Sequence, residues 1–244
     1  MDAIYPYITR QMGLARELDT LAQNVANAST TGYKAESLVF VEHVTAAHRE
    51  GPSMSMGHAK SRFTDLDPGG VTMTGGTFDL AIEGDGFFQV AGPDGETLLT
   101  RAGAFVTDRF GTVMTHDGLP LLDLGGAPIQ VPGDADQISI GRDGTMSTGE
   151  GPFAQVGLVS IPDTIGLQRV GDTRFRYAPP DGGAPAPVEF PRVMQGFLEQ
   201  SNVRPVLELA RLIEVEKAYT AGQSILDRED ERLRNMLRVM DPQR

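Results

Sequence analysis

The chain contains 244 residues, of which 40% are hydrophobic, and it carries a formal net charge of −12 at neutral pH. This length and apolar content exclude a disordered tail and allow one substantial domain with an appendage, or two small domains. The absence of cysteine excludes disulfides and thiolate chemistry.

The excess negative charge lies in the middle of the chain. Residues 1–34 contain three basic and three acidic side chains, and residues 203–244 contain eight of each. Neutral ends can pack in many copies without mutual repulsion, whereas an acidic middle is expected to face solvent. That middle would also repel phosphates, so no nucleic-acid partner is expected.

An amphipathic helix is predicted at the amino terminus, ending near Ala28. Its apolar residues recur every seven positions in two series three residues apart, which is typical of a coiled-coil seam. The predicted seam consists of Ile4, Tyr7, Gln11, Leu14, Leu18, Leu21, Val25 and Ala28. Asn24 and Asn27 flank the seam, and Gly32 tolerates the positive φ at which such a helix stops. One face of this helix is therefore expected to have a helical partner.

The end of this helix carries a recognisable motif. The helix and the motif together span residues 1–34. Its residues are Asn24, Ala26, Asn27, Ser29, Thr30, Gly32, Tyr33 and Lys34. Their order resembles the N-x-A-N-x-S-T-x-G-[FY]-[KR] signature of the axial proteins of the bacterial flagellum. In that signature phenylalanine is commoner than the tyrosine found here. The resemblance implies a structural subunit of a rod or hook.

The amino terminus lacks the basic region, apolar run and small-residue cleavage site of a secretory signal peptide. The resemblance therefore implies export by the flagellum's own type III export apparatus, without a cleaved signal.

Residues 35–74 are predicted to form a connector between this helix and the next domain. Phe40, Val41 and Val44 could continue a short helix or a strand. Residues 51–57 are predicted to be a loop because glycine, proline and serine cluster there.

The histidines invite a metal-site interpretation. His43 and His48 are five residues apart and do not share a helix face as an i, i+4 pair would, and His58 lies further on. His116 stands alone in a predicted turn, where a histidine is usually solvated. No metal or other cofactor is expected.

Residues 75–190 are predicted to form a β-domain, because short strands alternate with turn residues at intervals of about ten. Antiparallel strands are expected from 75 to 178, in a domain stable without either terminus. Phe87–Ala91 and residues 96–101 flank Gly92-Pro93-Asp94-Gly95 and predict a hairpin. Residues 179–187, rich in proline and glycine, are predicted to form a surface linker.

Two carboxylates, Glu83 and Asp85, alternate with Gly84 and Gly86 and suggest either a calcium loop or an acid/base pair. The spacing does not match an EF-hand, and a turn leading into a strand at Phe87 explains the glycines. The segment also resembles the start of the β-domain in flagellar rod and hook proteins, which implies a structural role.

Residues 191–244 begin with a second motif and end in a helix. Residues 195–203, Gln-Gly-Phe-Leu-Glu-Gln-Ser-Asn-Val, resemble the Q-G-x-L-E-x-S-N-V motif before the last helix of the same axial proteins. Ser201 and Asn202 are predicted to cap this helix, with Pro205 in its first turn and Glu208 near its positive end.

The last helix repeats the seven-residue period of the first. Its predicted seam consists of Leu212, Val215, Tyr219, Gly222, Leu226, Leu233, Met236 and Met240, with Glu229 as a polar break. We therefore predict an α+β fold in which a central, mostly antiparallel β-domain is flanked by terminal helices that pair as a coiled-coil-like axial domain. The alternative is that each helical stripe packs on the β-domain.

The expected function is that of a structural subunit of the flagellar basal-body rod, in the periplasm, which assembles with copies of itself and other rod proteins and transmits torque from motor to hook. The start of the chain and residues 202–206 resemble the proximal-rod members of the family. The predicted assembly interface comprises Leu14, Leu18, Leu21, Asn24, Val25, Asn27, Gly32, Leu212, Val215, Tyr219, Leu226, Leu233 and Met236.

Two alternatives remain, a distal-rod or hook-type member of the same family and a ligand-binding β-module. An enzyme with a small-molecule substrate is not expected, because the sequence lacks a G-x-S-x-G elbow, a cysteine nucleophile and a phosphate-binding loop. A ligand-binding module would leave both seven-residue periods unexplained, and tryptophan is absent.

Overall fold

The computed structural model describes the backbone of residues 4–45, 54–133, 135 and 137–240, and their side chains except those of residues 4–7, 40–61, 233 and 236–240. The chain divides into two compact units. The helical unit contains α1 (Ile4–Ala26), β1 (Glu36–Thr45), β2 (Met54–Thr64) and α2 (Pro205–Met240). The β unit contains Asn27–Ala35 and Leu66–Val203. The fold is thus α+β, as predicted.

In the helical unit, α1 contacts α2 and both strands of the β1/β2 hairpin. The strands pair antiparallel from Glu36 opposite Thr64, with a bulge between Val39 and Phe40. Of the two possibilities left open for Phe40 to Val44, the strand is correct. The loop predicted at 51–57 is wrong for residues 54–57, which belong to β2. Cross-strand hydrogen bonds to β1 override the turn preference of that composition.

The helix boundaries differ from the prediction mainly at the start of α2. The first helix ends at Ala26, close to the predicted Ala28. Ser201 and Asn202 do not cap α2, which begins at Pro205 with its first turn closed on the carbonyl of Arg204. The Asn202 side chain instead accepts the backbone N–H of Ala35 at 2.7 Å. Neither helix, over its described residues, combines the length and apolar character needed to span a membrane.

Over its described residues, the β unit contains fifteen short strands, and every described pairing between them is antiparallel. They are β3 (Val71–Met73), β4 (Leu80–Ile82), β5 (Phe87–Ala91), β6 (Thr97–Thr100), β7 (Phe105–Thr107), β8 (Val113–Thr115), β9 (Ser139–Ile140), β10 (Thr145–Thr148), β11 (Gly151–Gln155), β12 (Leu158–Ser160), β13 (Leu167–Arg169), β14 (Arg174–Tyr177), β15 (Ala186–Pro187), β16 (Val193–Gln195) and β17 (Phe197–Glu199).

The largest sheet has six strands in the order β13-β14-β6-β5-β12-β15, and β9 to β11 form a three-stranded sheet. The predicted hairpin is confirmed as β5 and β6, with Gly95 at φ 78° in its turn. Gly86, at φ 136°, leads into β5 as expected of a turn. Even the predicted linker supplies a short strand, β15, which pairs with β12.

The core of the β unit extends beyond residues 75–178. Phe88 and Phe105 pack edge to face at its centre, with ring centroids 5.3 Å apart. Val193, two residues before the carboxy-terminal motif, belongs to the same cluster, and Tyr33, from the amino-terminal motif, is fully buried in this unit. Residues on both sides of 75–178 thus contribute buried side chains to the unit, and the stability of 75–178 alone stays a prediction.

Candidate assembly site

The two helices of the helical unit run antiparallel and are joined by polar contacts at three levels. Asn24 donates to Glu208 Oε2 at 3.2 Å, and Arg211 Nη2 lies 3.0 Å from Glu17 Oε1. Further along, Gln11 Nε2 donates to the carbonyl oxygen of Tyr219 at 3.0 Å. The hydrogen bond and negative charge of Glu17 raise the pKa of Arg211 above its usual range.

Most of the predicted seam residues lie on the less exposed faces of these helices. Leu21 and Val215 are buried. The half-buried members are Leu14, Leu18, Val25, Leu212, Tyr219 and Leu226. The side chains of Leu233 and Met236 lie outside the described residues. Within one chain, therefore, much of the predicted seam is already covered.

Asn24, predicted to contact a neighbouring subunit, is buried within its own chain. Its Oδ1 accepts the backbone N–H of Glu36 at 3.0 Å, and its Nδ2 donates to the carbonyl of the same residue at 2.8 Å. The amide thus satisfies both backbone groups at the start of β1, and it holds that strand against the end of α1. An intrachain structural role explains this asparagine.

An exposed apolar stripe lies on the first turns of α2, and it was not among the residues predicted from the sequence. Val206 is 78% exposed, Leu209 is 46% exposed and Ile213 is 50% exposed. Their spacing of three and four residues places them on one side of the helix, about a third of a turn from Leu212 and Val215. In the sequence, Val206, Leu209 and Ile213 form a second apolar period that is offset from the seam. This period is the sequence signal for the stripe.

The two sequence motifs meet inside the β unit. Lys34 Nζ lies 2.6 Å from Glu199 Oε1, and both side chains are 1% exposed. Lys34 also donates to the carbonyl of Asp67 at 2.8 Å, and the backbone N–H of Gly69 donates to Glu199 Oε1 at 3.1 Å. Sequence reasoning assigned neither Lys34 nor Glu199 a role, because 165 residues separate them.

Arg101 adds a second positive charge to this buried cluster. Its Nη1 lies 3.3 Å from Glu199 Oε2, and its Nη2 donates to the carbonyl of Gly84 at 2.8 Å. The guanidinium also lies over the Phe87 ring, 5.3 Å from the centroid. Burial lowers the pKa of Arg101 below its ordinary value, an effect opposed by Glu199 and by the charge of Asp85.

Gly32 and Asn27, both predicted interface residues, belong to the β unit. Gly32 has φ 68°, its N–H donates to the carbonyl of Glu199 at 2.8 Å, and a Cβ there would lie 2.3 Å from the backbone nitrogen of Ala102. Asn27 is half-buried and accepts from the hydroxyl of Thr30 in a turn. Gly32 is thus required by close backbone packing as well as by positive φ.

Aromatic and amide contacts complete the junction between the motifs. The guanidinium of Arg169 lies 4.5 Å from the ring centroid of Tyr33 and 4.8 Å from that of Phe175. It also donates to the carbonyl of Lys34. Asn202 Nδ2 donates to the carbonyl of Asp67 at 3.0 Å. These contacts give both motifs a structural role in the β unit.

The described residues contain no group of three or more His, Cys, Asp or Glu side chains that could hold a metal ion. His116 is exposed in a turn. The side chains of His43 and His58, and the whole of His48, lie outside the described residues.

Three family models match the chain in order. They are "Flagella basal body rod protein" at residues 7–34, "Flagellar hook protein FlgE/F/G D1 domain" at 81–148 and "Flagellar basal body rod FlgEFG protein C-terminal" at 194–239. The first and last cover the two motifs together with most of α1 and α2.

Curated relatives align over nearly the whole chain. The flagellar basal-body rod protein FlgF of Caulobacter vibrioides is 40% identical, with 93% of this chain and 92% of the relative covered. FlgF of Mesorhizobium japonicum is 35% identical, with 89% of each chain covered. The flagellar basal-body rod protein FlgG of Bacillus subtilis is 31% identical, with 97% of this chain and 98% of the relative covered.

Proposed function

Because this chain belongs to the flagellar basal-body rod proteins and is FlgF-like, we propose that it is a structural subunit of the bacterial flagellar basal-body rod. The relatives that carry this assignment share at least 35% identity with the chain and bear the FlgF name. The role requires a surface that binds further subunits and needs no catalytic group.

The observation that best supports assembly is the exposed stripe formed by Val206, Leu209 and Ile213 on α2. Contiguous exposed apolar surface on a helix marks an interaction site, because burying it on association is favourable. The helical ends of the chain carry no excess charge, so copies can approach without repulsion. Head-to-tail contacts of this kind extend as a helical array when they do not close into a ring.

In the proposed assembly, α1 and α2 form a coiled-coil-like axial domain that packs against the helices of neighbouring subunits. The predicted seam residues, from Leu14 to Met236, support the pairing of the two helices, and the stripe on α2 provides the outward contact. Asn24, Asn27 and Gly32 contribute by holding the local backbone in shape.

The finer role that we propose is in the proximal rod, where the subunit would transmit torque from the motor towards the hook. Its partners would be copies of itself, other rod proteins and the flagellar type III export apparatus. The buried cluster of Lys34, Arg101 and Glu199 supports a mechanical role, since it links residues distant in sequence within the β unit.

A clean deletion of the gene tests this function directly. Loss of motility and basal bodies without hook or filament are expected, both restored by the intact gene. Normal filaments in the deletion strain would contradict the proposal.

The second candidate is a distal-rod or hook-type role, supported by the FlgG relative that aligns over 97% of the chain. Complementation separates the two. This chain should restore motility to a strain lacking FlgF and not to one lacking FlgG, and the reverse result would favour the second candidate.

A further inference from the structure

Two residues that interrupt the apolar seams of α1 and α2 meet each other in the structure. Gln11 is 8% exposed, and a Cβ on Gly222 would lie 2.1 Å from Gln11 Nε2 and 2.7 Å from Gln11 Cδ. The same Nε2 donates to the carbonyl oxygen of Tyr219, one turn earlier in α2. A side chain at position 222 would therefore have to displace the glutamine amide from this position and from its hydrogen bond to Tyr219.

Both residues are unfavourable choices for stability alone. Glycine in the interior of a helix weakens it relative to alanine. Gln11 Oε1 is buried and receives no hydrogen bond from the described residues, and an unsatisfied buried acceptor is costly. An apolar side chain facing alanine would avoid both costs, so the pair calls for a different explanation.

Seven-residue periods leave the alignment of the helices ambiguous. Sliding α2 by one period in either direction again places seam positions opposite seam positions. Such a slide brings Val215 or Glu229 opposite Gln11 in place of Gly222. The valine side chain would fill the space that the amide needs, and Glu229 would bring a charge into the seam.

The ion pair between the two helices discriminates less well between alignments. Glu17 pairs with Arg211 in the observed alignment, and a slide in one direction brings Arg204 opposite Glu17, so an ion pair of the same kind can form. Gly222, in contrast, is the one glycine among the seam positions of α2 named above. A shifted alignment therefore offers the Gln11 amide no equivalent space.

We propose that Gln11 and Gly222 form a register lock, which selects the observed antiparallel alignment of α1 and α2 over alignments shifted by seven residues. The lock acts within one chain and does not depend on the proposed function. Its physical basis is that a buried polar residue tolerates only the alignment in which it finds space and a partner, at some expense of stability.

Spin labels on the full-length protein can measure the alignment. The chain contains no cysteine, so labels attach only at Asp19→Cys and Arg228→Cys, two exposed positions on α1 and α2. Pulsed electron paramagnetic resonance should give one distance in the parent. Gln11→Leu should add a second distance, differing by roughly 10 Å because seven helical residues rise by that length. Thr220→Ala, on the exposed face of α2, is the control and should keep one distance.

A second variant tests the same contact through stability. Gly222→Ala should lower the thermal midpoint of the helical circular dichroism signal below that of Thr220→Ala, and adding Gln11→Ala should restore it. A single unchanged distance in Gln11→Leu would overturn the lock. Failure of the double variant to recover the midpoint lost by Gly222→Ala would also overturn it.

Discussion

Lys34 and Glu199 form an ion pair of 2.6 Å although 165 residues separate them, and both side chains are 1% exposed. Each belongs to one of the two motifs by which the chain resembles flagellar axial proteins. The ion pair therefore shows a structural role for both motifs, because it joins the segment after α1 to the segment before α2 inside the β unit. Hydrogen bonds from Gly69 and to Asp67 help to offset the desolvation of both charges.

Lys34→Met should lower the free energy of unfolding by about 3–5 kcal/mol, because it leaves Glu199 buried without its nearest counter-charge. Urea denaturation followed by circular dichroism measures the loss. The matched control is Arg192→Ala, which removes an exposed ion pair to Glu83 at 3.7 Å in the same unit. That control should cost about 0–1 kcal/mol. Equal effects of the two variants would contradict the proposed stabilising role of the buried pair.

Gly32→Ala should destabilise the β unit through both conformation and contact. Positive φ alone costs an alanine about 1–2 kcal/mol, and the new Cβ would also lie 2.3 Å from the nitrogen of Ala102. Gly118→Ala isolates the first effect, since Gly118 has φ 86° and a methyl group added there would have nothing within 4 Å. A larger loss of unfolding free energy at position 32 than at 118 is the expected result.

Ile213→Asp should abolish rod assembly while changing the stability of the monomer by only about ±0.5 kcal/mol, because the side chain is half exposed before assembly. Motility and electron microscopy of basal bodies report assembly, and thermal melting reports the fold. Ser224→Asp adds the same charge at an exposed position outside the apolar stripe and should leave cells motile. If cells carrying Ile213→Asp are motile, this face of α2 is not part of the assembly interface.

Leu226→Asp, on the same helix, should differ from Ile213→Asp in that it also destabilises the monomer. Leu226 is half-buried on the seam side of α2, so a charge there should weaken the monomer's helical unit as well as assembly. The thermal midpoint of the helical signal should therefore fall in this variant. Arg228→Ala, an exposed neighbour, should leave that midpoint nearly unchanged.

The ion pair between Glu96 and Arg176 should make the β unit more stable at neutral than at acidic pH. Arg176 Nε donates to Glu96 Oε2 at 2.6 Å, and this bond holds the pKa of Glu96 below its ordinary value of 4.5. A depressed folded-state pKa contributes stability that is complete above the unfolded pKa and is lost as pH falls through the folded value.

Urea midpoints at about pH 7 and about pH 3 test this dependence. Glu96→Gln should reduce the difference between the two midpoints, whereas Glu150→Gln, at an exposed turn residue, should not. If the difference between the two midpoints is undiminished in Glu96→Gln, carboxylates other than Glu96 dominate the pH dependence of stability.

Some of this structure follows from local sequence. The seven-residue periods predict both helices, because residues at that spacing share one face whatever surrounds them. The hairpin around Gly95 follows from turn chemistry, since positive φ selects glycine there. The two motifs identify the family without any coordinates, although they do not reveal what Lys34 and Glu199 contact.

The candidate site was predicted less completely than the helices. Periodicity shows that a face is apolar and does not show what covers it. Much of the predicted seam is buried or half-buried within the chain, and the exposed stripe at Val206, Leu209 and Ile213 was not predicted. The sequence predicts Asn24 and Gly32 at the assembly interface because of their position beside the helix. Both are buried within the chain, and their part in the interface stays a prediction.

The sequence by itself thus determined the helical periods, the turn positions and the family, all of which depend on residues close together in the chain. Only the tertiary structure decided that Glu36–Thr45 and Met54–Thr64 pair as antiparallel strands, that Gln11 faces Gly222 and that Lys34 pairs with Glu199. Each of these requires segments distant in sequence to meet, and the free energy that selects such a meeting comes from burial and hydrogen bonds that exist only once the chain has folded.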